Sequence, residues 1–321
     1  DGLLGADSAG TARPGTQPRE LRFPEEVTHL SLGDTHAAAV TASGRLLTWG
    51  LDLHGKLGLE SEDELLDLRR YDARSARDSG VVKTPTPSPF FGPGRIPAAR
   101  ATCRHGSTFV VDQAGAAWAL GSADRGISGT GRTRGDLSEP ERLRFGADEP
   151  VRELRAGANF AAAVSAAGRV FAWGLNNYGQ LGGSGRYLEP APVPVQLGPG
   201  DARAEKVDCG EFHAVALATD GGLWTWGQGA HGQLGHGNKS DCPAPKLVAG
   251  LPALRDVAAG EAHTVALSRA GEVFVFGQGR EGQMGRLAEA ESSASYRTAP
   301  HRVEFFARNG LRVERIAAGG N

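Results

Sequence analysis

The stretch Gly210-Glu211-Phe212-His213-Ala214-Val215-Ala216-Leu217, continued by Thr219-Asp220-Gly221-Gly222, by Leu223-Trp224-Thr225-Trp226-Gly227 and by Gly232-Gln233-Leu234-Gly235, decides the fold. Its apolar runs are short, rich in β-branched, aromatic and small residues, and bounded by turn formers, which is how strands read. Strands are expected at Lys206 to Cys209, His213 to Leu217 and Leu223 to Trp226. Between the last two, Gly221 occupies a hairpin turn where a positive φ costs glycine little.

The pattern repeats in both directions. Markers Gly33, Gly157, Gly210, Gly260 and Gly319, with Arg104 standing in once, lie 50 to 71 residues apart. Eleven residues after the first five markers stand Gly44, Gly115, Gly168, Gly221 and Gly271. Six further on come Gly50, Gly121, Gly174, Gly227 and Gly277, preceded by Trp49, Leu120, Trp173, Trp226 and Phe276. A closing glycine pair follows in every copy, from Gly55 and Gly58 to Gly282 and Gly285, and Gly2-Leu3-Leu4-Gly5 repeats that closing motif near the start. More than half of the 47 glycines hold template positions, so they are not linker filler. Prolines such as Pro89, Pro140, Pro194, Pro245 and Pro300 recur ahead of the markers and belong on an edge strand or at a strand entrance, because proline has no ladder donor. One four-stranded antiparallel blade per repeat, with no helical periodicity, predicts an all-β β-propeller.

Composition narrows the function. A hydrophobic content of 40% with 22% charged residues fits a folded globular chain. Lys plus Arg is 35 and Asp plus Glu is 37, with no long basic block, which argues against direct nucleic-acid binding. Cys103, Cys209 and Cys242 are too few and too scattered for a disulfide scaffold or a zinc site, and free thiols point to an intracellular chain, cytoplasmic or nuclear. No apolar run approaches the length of a membrane helix, so no membrane association is expected. Asp1 follows no Met, which leaves an organelle leader open.

Gly-x-x-His-x-x-Ala-Leu, Gly-x-x-x-x-Trp-Gly and Gly-Gln-Leu-Gly, as they stand from Gly210 to Gly235, resemble the repeat of the regulator of chromosome condensation family. The resemblance covers nearly the whole chain and implies a seven-bladed propeller cut at both ends here. Residues 1–321 are then one propeller domain: 1–26 the tail of a preceding repeat, 27–303 five full repeats with an insertion at about 59–84, and 304–321 the head of a following repeat. It implies a protein partner, with two principal functions. One is a protein-interaction scaffold or regulatory adaptor; the other is a guanine-nucleotide exchange factor for a small GTPase. The scaffold is preferred, because fold does not fix function and exchange activity belongs to a minority of these proteins. A third, weaker reading is an inhibitor-like binder, after a bacterial β-lactamase inhibitor protein of this fold. The Gly-Trp-Arg-His-Thr motif of the family's plant ultraviolet-B photoreceptor is missing, which argues against light sensing.

No catalytic, metal or cofactor site is expected, and the chain reads as a non-enzyme. Gly227-Gln228-Gly229-Ala230-His231-Gly232 matches G-x-G-x-x-G, but no helix follows to face a pyrophosphate. His36, His213 and His263 are copies of one template position and read as structural. Departures from the template are the better place to seek function. From Gly58 to Arg104 is 46 residues against 25 to 28 for the same interval in three other places, with a smaller excess at Arg286 to Thr298, and the first excess opens with Ser61 and Glu64 spaced as a capping box. Glu62, Asp63, Glu64, Arg69 and Arg70 in this expected helix form the candidate partner contact, with Phe90 or Phe91 as an apolar anchor unless they are blade residues. The adjoining repeat also loses the marker glycine (Arg104), the histidine (Ser107) and the tryptophan (Leu120).

Overall fold

The computed structural model describes residues 20–59, 80–200, 202–280, 282–285 and 296–319. Among these, twenty strands form five four-stranded antiparallel sheets, one per repeat. Blade 1 is β1 (Val27–Leu32), β2 (His36–Thr41), β3 (Leu46–Leu51) and β4 (Val81–Pro87); blade 2 is β5 (Ala98–Arg104), β6 (Ser107–Asp112), β7 (Ala117–Ser122) and β8 (Asp136–Arg142). Blade 3 is β9 (Val151–Ala156), β10 (Phe160–Ser165), β11 (Val170–Leu175) and β12 (Leu188–Val195). Blade 4 is β13 (Ala204–Cys209), β14 (His213–Ala218), β15 (Leu223–Gly227) and β16 (Cys242–Leu247). Blade 5 is β17 (Leu254–Ala259), β18 (His263–Ser268), β19 (Val273–Gln278) and β20 (Tyr296–Arg302). Among the described residues, helix is confined to a 3-10 turn at Asp124–Gly126 and one short α1 (Glu304–Arg308). The helix expected from Ser61 lies outside the described residues.

The chain divides into two compact units, Asp1–Asp124 with Thr130–Leu143, and Arg125–Gly129 with Arg144–Asn321. In each, a core lies between neighbouring blades, and a smaller one packs an end blade against a flanking segment: Trp49 of blade 1 with Leu21 and Phe23, and Val275 of blade 5 with Val303 and Phe306. Second strands such as His-Ala-Ala-Ala-Val-Thr (β2) and Phe-Ala-Ala-Ala-Val-Ser (β10) are buried along their whole length, because both sheet faces are covered, and their alanines let blades approach closely. In the first unit Ala38, Val40 and Leu46 of blade 1 pack on Ala101, Cys103, Val110 and Leu120 of blade 2. In the second, Phe160, Ala162 and Val164 meet Val207, Cys209, Ala214 and Trp226, and the pattern recurs between blades 4 and 5.

Among the described residues, the closing motifs of blades 1 to 4 each present one backbone carbonyl to the following blade. In the second unit the indole N–H of Trp173 donates to Ile127 O at 2.8 Å and that of Trp226 to Gln180 O at 2.9 Å. Where the tryptophan is lost, a threonine hydroxyl supplies the donor: Thr108, beside Leu120, reaches Lys56 O at 2.6 Å, and Thr264, beside Phe276, reaches Gln233 O at 2.8 Å. The same two threonines meet the template histidines, His36 Nε2 at 2.8 Å and His213 Nε2 at 3.1 Å. Since each hydroxyl proton is committed to a carbonyl, Nε2–H is the donor and the neutral tautomer is fixed. The Nδ1 atoms of His36 and His213 are buried without a hydrogen-bond partner among the described residues. Burial holds both imidazoles down to about 3. Cys103 is likewise buried, its thiol pushed up to about 12, which makes it an inert packing group.

The marker glycines answer to the same seams. A Cβ on Gly157, Gly210 or Gly260 would collide with the ring of Phe160, His213 or His263. Blade 2 has Ser107 in place of the ring, and there Arg104 replaces the glycine. The two departures are one change.

The fourth strands form the outer edges and carry the recurring prolines. The N–H of Ser88, just past β4, donates inward to Leu46 O, and Val248, just past β16, does the same to Leu223 O. Alternation therefore turns Pro85 and Pro87, and Pro243 and Pro245, to the free side. There they remove donors that would invite another strand.

Gly221 has φ +93°, and a Cβ there would lie 3.1 Å from the backbone of Leu254. Gly221→Val is expected to cost about 1 to 3 kcal/mol, read as a lower urea midpoint; an unchanged midpoint contradicts the hairpin assignment. The seam histidines set a pH dependence. Their folded pKa lies below the unfolded value near 6.5, so their stabilisation is complete above pH 6.5 and is lost as pH falls toward 3. At pH 5 each is expected to cost about 2 kcal/mol relative to pH 7.5. Urea midpoints at the two pH values test this, and His213→Gln is expected to flatten the difference.

Candidate partner-binding surface

The loops joining first to second strands and third to fourth strands carry side chains that the seam leaves free to vary. Two template positions meet there. One immediately precedes the first closing glycine, and the other lies two residues after the marker. In the first unit they are His54 and Gly106, whose missing side chain leaves room for the imidazole edge. In the second they are Arg125 with Asn159, the guanidinium 3.4 Å from Asn159 Oδ1, and Tyr178 with Phe212, with ring centroids 5.3 Å apart. His231 holds the first position in blade 4. The frame beneath is fixed by backbone hydrogen bonds, Ala158 N–H to Glu211 O at 3.0 Å and Glu211 N–H to Glu261 O at 3.0 Å. Chemistry changes from pair to pair while the position does not.

In the first unit the same loops hold a charged lock. Asp34 pairs with His105 Nδ1 at 2.5 Å and accepts the His105 backbone N–H at 3.0 Å, with Arg104 at 3.9 Å. The His105 contact, the largest influence, holds the Asp34 carboxyl well below the usual carboxylate range. Lys56, buried where other closing motifs carry Gln180 or Gln233, donates to Thr35 Oγ1 at 2.8 Å and to His105 O at 3.3 Å, and burial lowers its ammonium pKa. His54 Nδ1 lies 3.0 Å from Asp136 Oδ1. His54, His105 and Arg125 all have positive φ, uncommon for residues with a Cβ and concentrated in these loops. No group of three His, Cys, Asp or Glu side chains suited to a metal ion occurs among the described residues.

Glu62, Asp63, Glu64, Arg69 and Arg70 lie outside the described residues. Phe91 is 2% exposed in the core with Ala38, Val110 and Leu120, and Phe90 packs partly buried against that cluster, so both hold the blade seam together. Leu30 and Leu32 are 54% and 65% exposed, but their template equivalents Val207 and Cys209 are buried, which marks a blade face. Sequence reasoning passed over Arg125, Tyr178 and Phe212. The available signal was residue variability between fixed glycines, legible only once the two positions are known to touch.

Five four-stranded blades built on one template, with cores between neighbouring blades and, on blades 1 and 5, against the flanking segments, define a repeat β-propeller. The model of the RCC1-like domain matches residues 1–321, and the chain belongs to that family. It is 30% identical over 225 residues to the ultraviolet-B receptor UVR8 of Arabidopsis thaliana, covering 69% of this chain and 46% of that protein. It is 29% identical over 254 residues to the human E3 ubiquitin-protein ligase HERC2, covering 78% of this chain and 5% of that protein. The chain thus spans less than half the length of these curated relatives. Yeast RCC1 (Prp20), solved bound to Kap60, superposes with a TM-score of 0.72 at 21% identity, over 91% of this chain and 65% of that one. At that identity the likeness is one of fold.

Proposed function

We propose that the chain is a protein-interaction scaffold whose partner contacts sit on the loops that carry the variable seam pairs. The observation that carries this reading is the division of labour within the template: seam positions conserve their geometry from blade to blade, while the loop pairs above them change from imidazole to guanidinium to aromatic. A rigid frame presenting different side chains at fixed points is suited to recognition. Proline at the outer edges disfavours strand addition and leaves the loops as the accessible route. The charged segment with Glu62, Asp63, Glu64, Arg69 and Arg70 is a second proposed contact, flanked by Leu59 and Gly80 of blade 1.

A photo-crosslinking residue at exposed Asn177 is expected to capture partner protein from cells, while the same residue at Leu247, 49% exposed on outer strand β16, is expected to capture little. The reverse pattern contradicts the loop assignment. Capture at Asn177 of a small GTPase only after nucleotide is chelated away would turn the scaffold into an exchange factor. Replacing residues 61–79 by a Gly-Ser turn is expected to leave the urea midpoint nearly unchanged, since closure depends weakly on loop length, and to reduce partner capture. Undiminished capture removes the segment from the contact.

A further inference from the structure

We infer, building on the loop-surface reading above, that the loop row of the second unit binds a protein segment in which a carboxylate neighbours a large apolar side chain. The carboxylate sits on Arg125 and the apolar group on the Tyr178–Phe212 step.

Arg125 is exposed, and its guanidinium has a single hydrogen-bond partner among the described residues, Asn159 Oδ1 at 3.4 Å, with no carboxylate in reach. A guanidinium fork has five donors, so its remaining N–H groups suit bidentate capture of a carboxylate. Its backbone is held at φ 56°, an unfavourable conformation for a residue with a Cβ, and Gly126 next to it packs against Pro190. The side chain therefore projects from a constrained base.

The apolar half lies one seam along. Tyr178 and Phe212 are both half-buried, their rings tilted by 58° with centroids 5.3 Å apart, and the Tyr178 hydroxyl has no partner among the described residues. Backbone hydrogen bonds couple the two halves. Leu175 N–H donates to Asn159 O at 2.8 Å, three residues before Tyr178, and Ala158 N–H donates to Glu211 O at 3.0 Å, so Asn159 and Phe212 each directly follow one end of that bond. Arginine beside tyrosine and phenylalanine on a rigid frame is the composition enriched where interfaces concentrate their energy. The uncompensated cation selects an acidic neighbour for the apolar anchor.

The test pans a phage-displayed library of random peptides against the folded chain. Enriched peptides are expected to carry Asp or Glu within about three positions of an aromatic or large aliphatic residue. Arg125→Glu is expected to weaken them by about tenfold or more, and Phe212→Ala comparably, while Tyr178→Leu, which keeps apolar bulk, weakens them less. Exchanging the peptide's acid for its amide is expected to weaken binding to the parent chain but not to Arg125→Glu, which separates direct pairing from misfolding; unchanged urea midpoints confirm folding. No enrichment, enrichment of peptides without the acid, or equal binding to Arg125→Glu overturns the inference. Should Asn177 still crosslink its partner in that event, the loop assignment stands and this one alone falls.

Discussion

The closing motifs of blades 1 to 4 each carry one buried backbone carbonyl across a seam, and that carbonyl must be given a donor by the blade it enters. The carbonyls of Ile127 and Gln180 receive an indole N–H; those of Lys56 and Gln233 receive a threonine hydroxyl. A carbonyl buried without a donor costs on the order of 1 to 3 kcal/mol, enough at several seams to consume much of a domain's net stability. Glycines, histidines and the tryptophan-glycine step are arranged around this requirement. Blades that lack tryptophan are therefore another solution to the same constraint.

This alters the meaning of the apparent decay in blade 2. Leu120 in place of tryptophan comes with Thr108, and Ser107 in place of a ring comes with Arg104 in place of glycine. Asp34, Lys56 and His105 then tie the loops together with side chains. Departure from the template marks an alternative seam as readily as it marks a site, and Phe91 illustrates the point. It stands beside an insertion and reads as either an anchor or a blade residue, and its ring lies in the core with Val110 and Leu120.

The fold was legible because close approach and turn geometry restrict residues one at a time. Gly221 must tolerate a positive φ, and Gly157 and Gly210 must make room for a ring three residues later, so both constraints appear as fixed spacings in the chain. Strand edges agree within two residues: the sequence predicts Lys206 to Cys209 and the strand runs Ala204–Cys209. The candidate surface was not legible for the opposite reason. Arg125 meets Asn159, and Tyr178 meets Phe212, across 34 residues, and neither position is restricted in type. Nor could Thr264 be recognised as the substitute for a tryptophan, since the two donors stand on different strands and converge only on the carbonyl of the preceding blade.

The most direct test of the seam rule transplants one solution onto another. Trp226→Phe alone is expected to lower stability by about 1 to 3 kcal/mol by leaving the Gln180 carbonyl without its donor. Combined with Ala214→Thr and Phe160→His, which installs the residue set of the seam between blades 4 and 5, it is expected to recover at least about half of that loss, a coupling typical of residues in direct contact. A triple variant as unstable as the sum of its single changes would contradict the account.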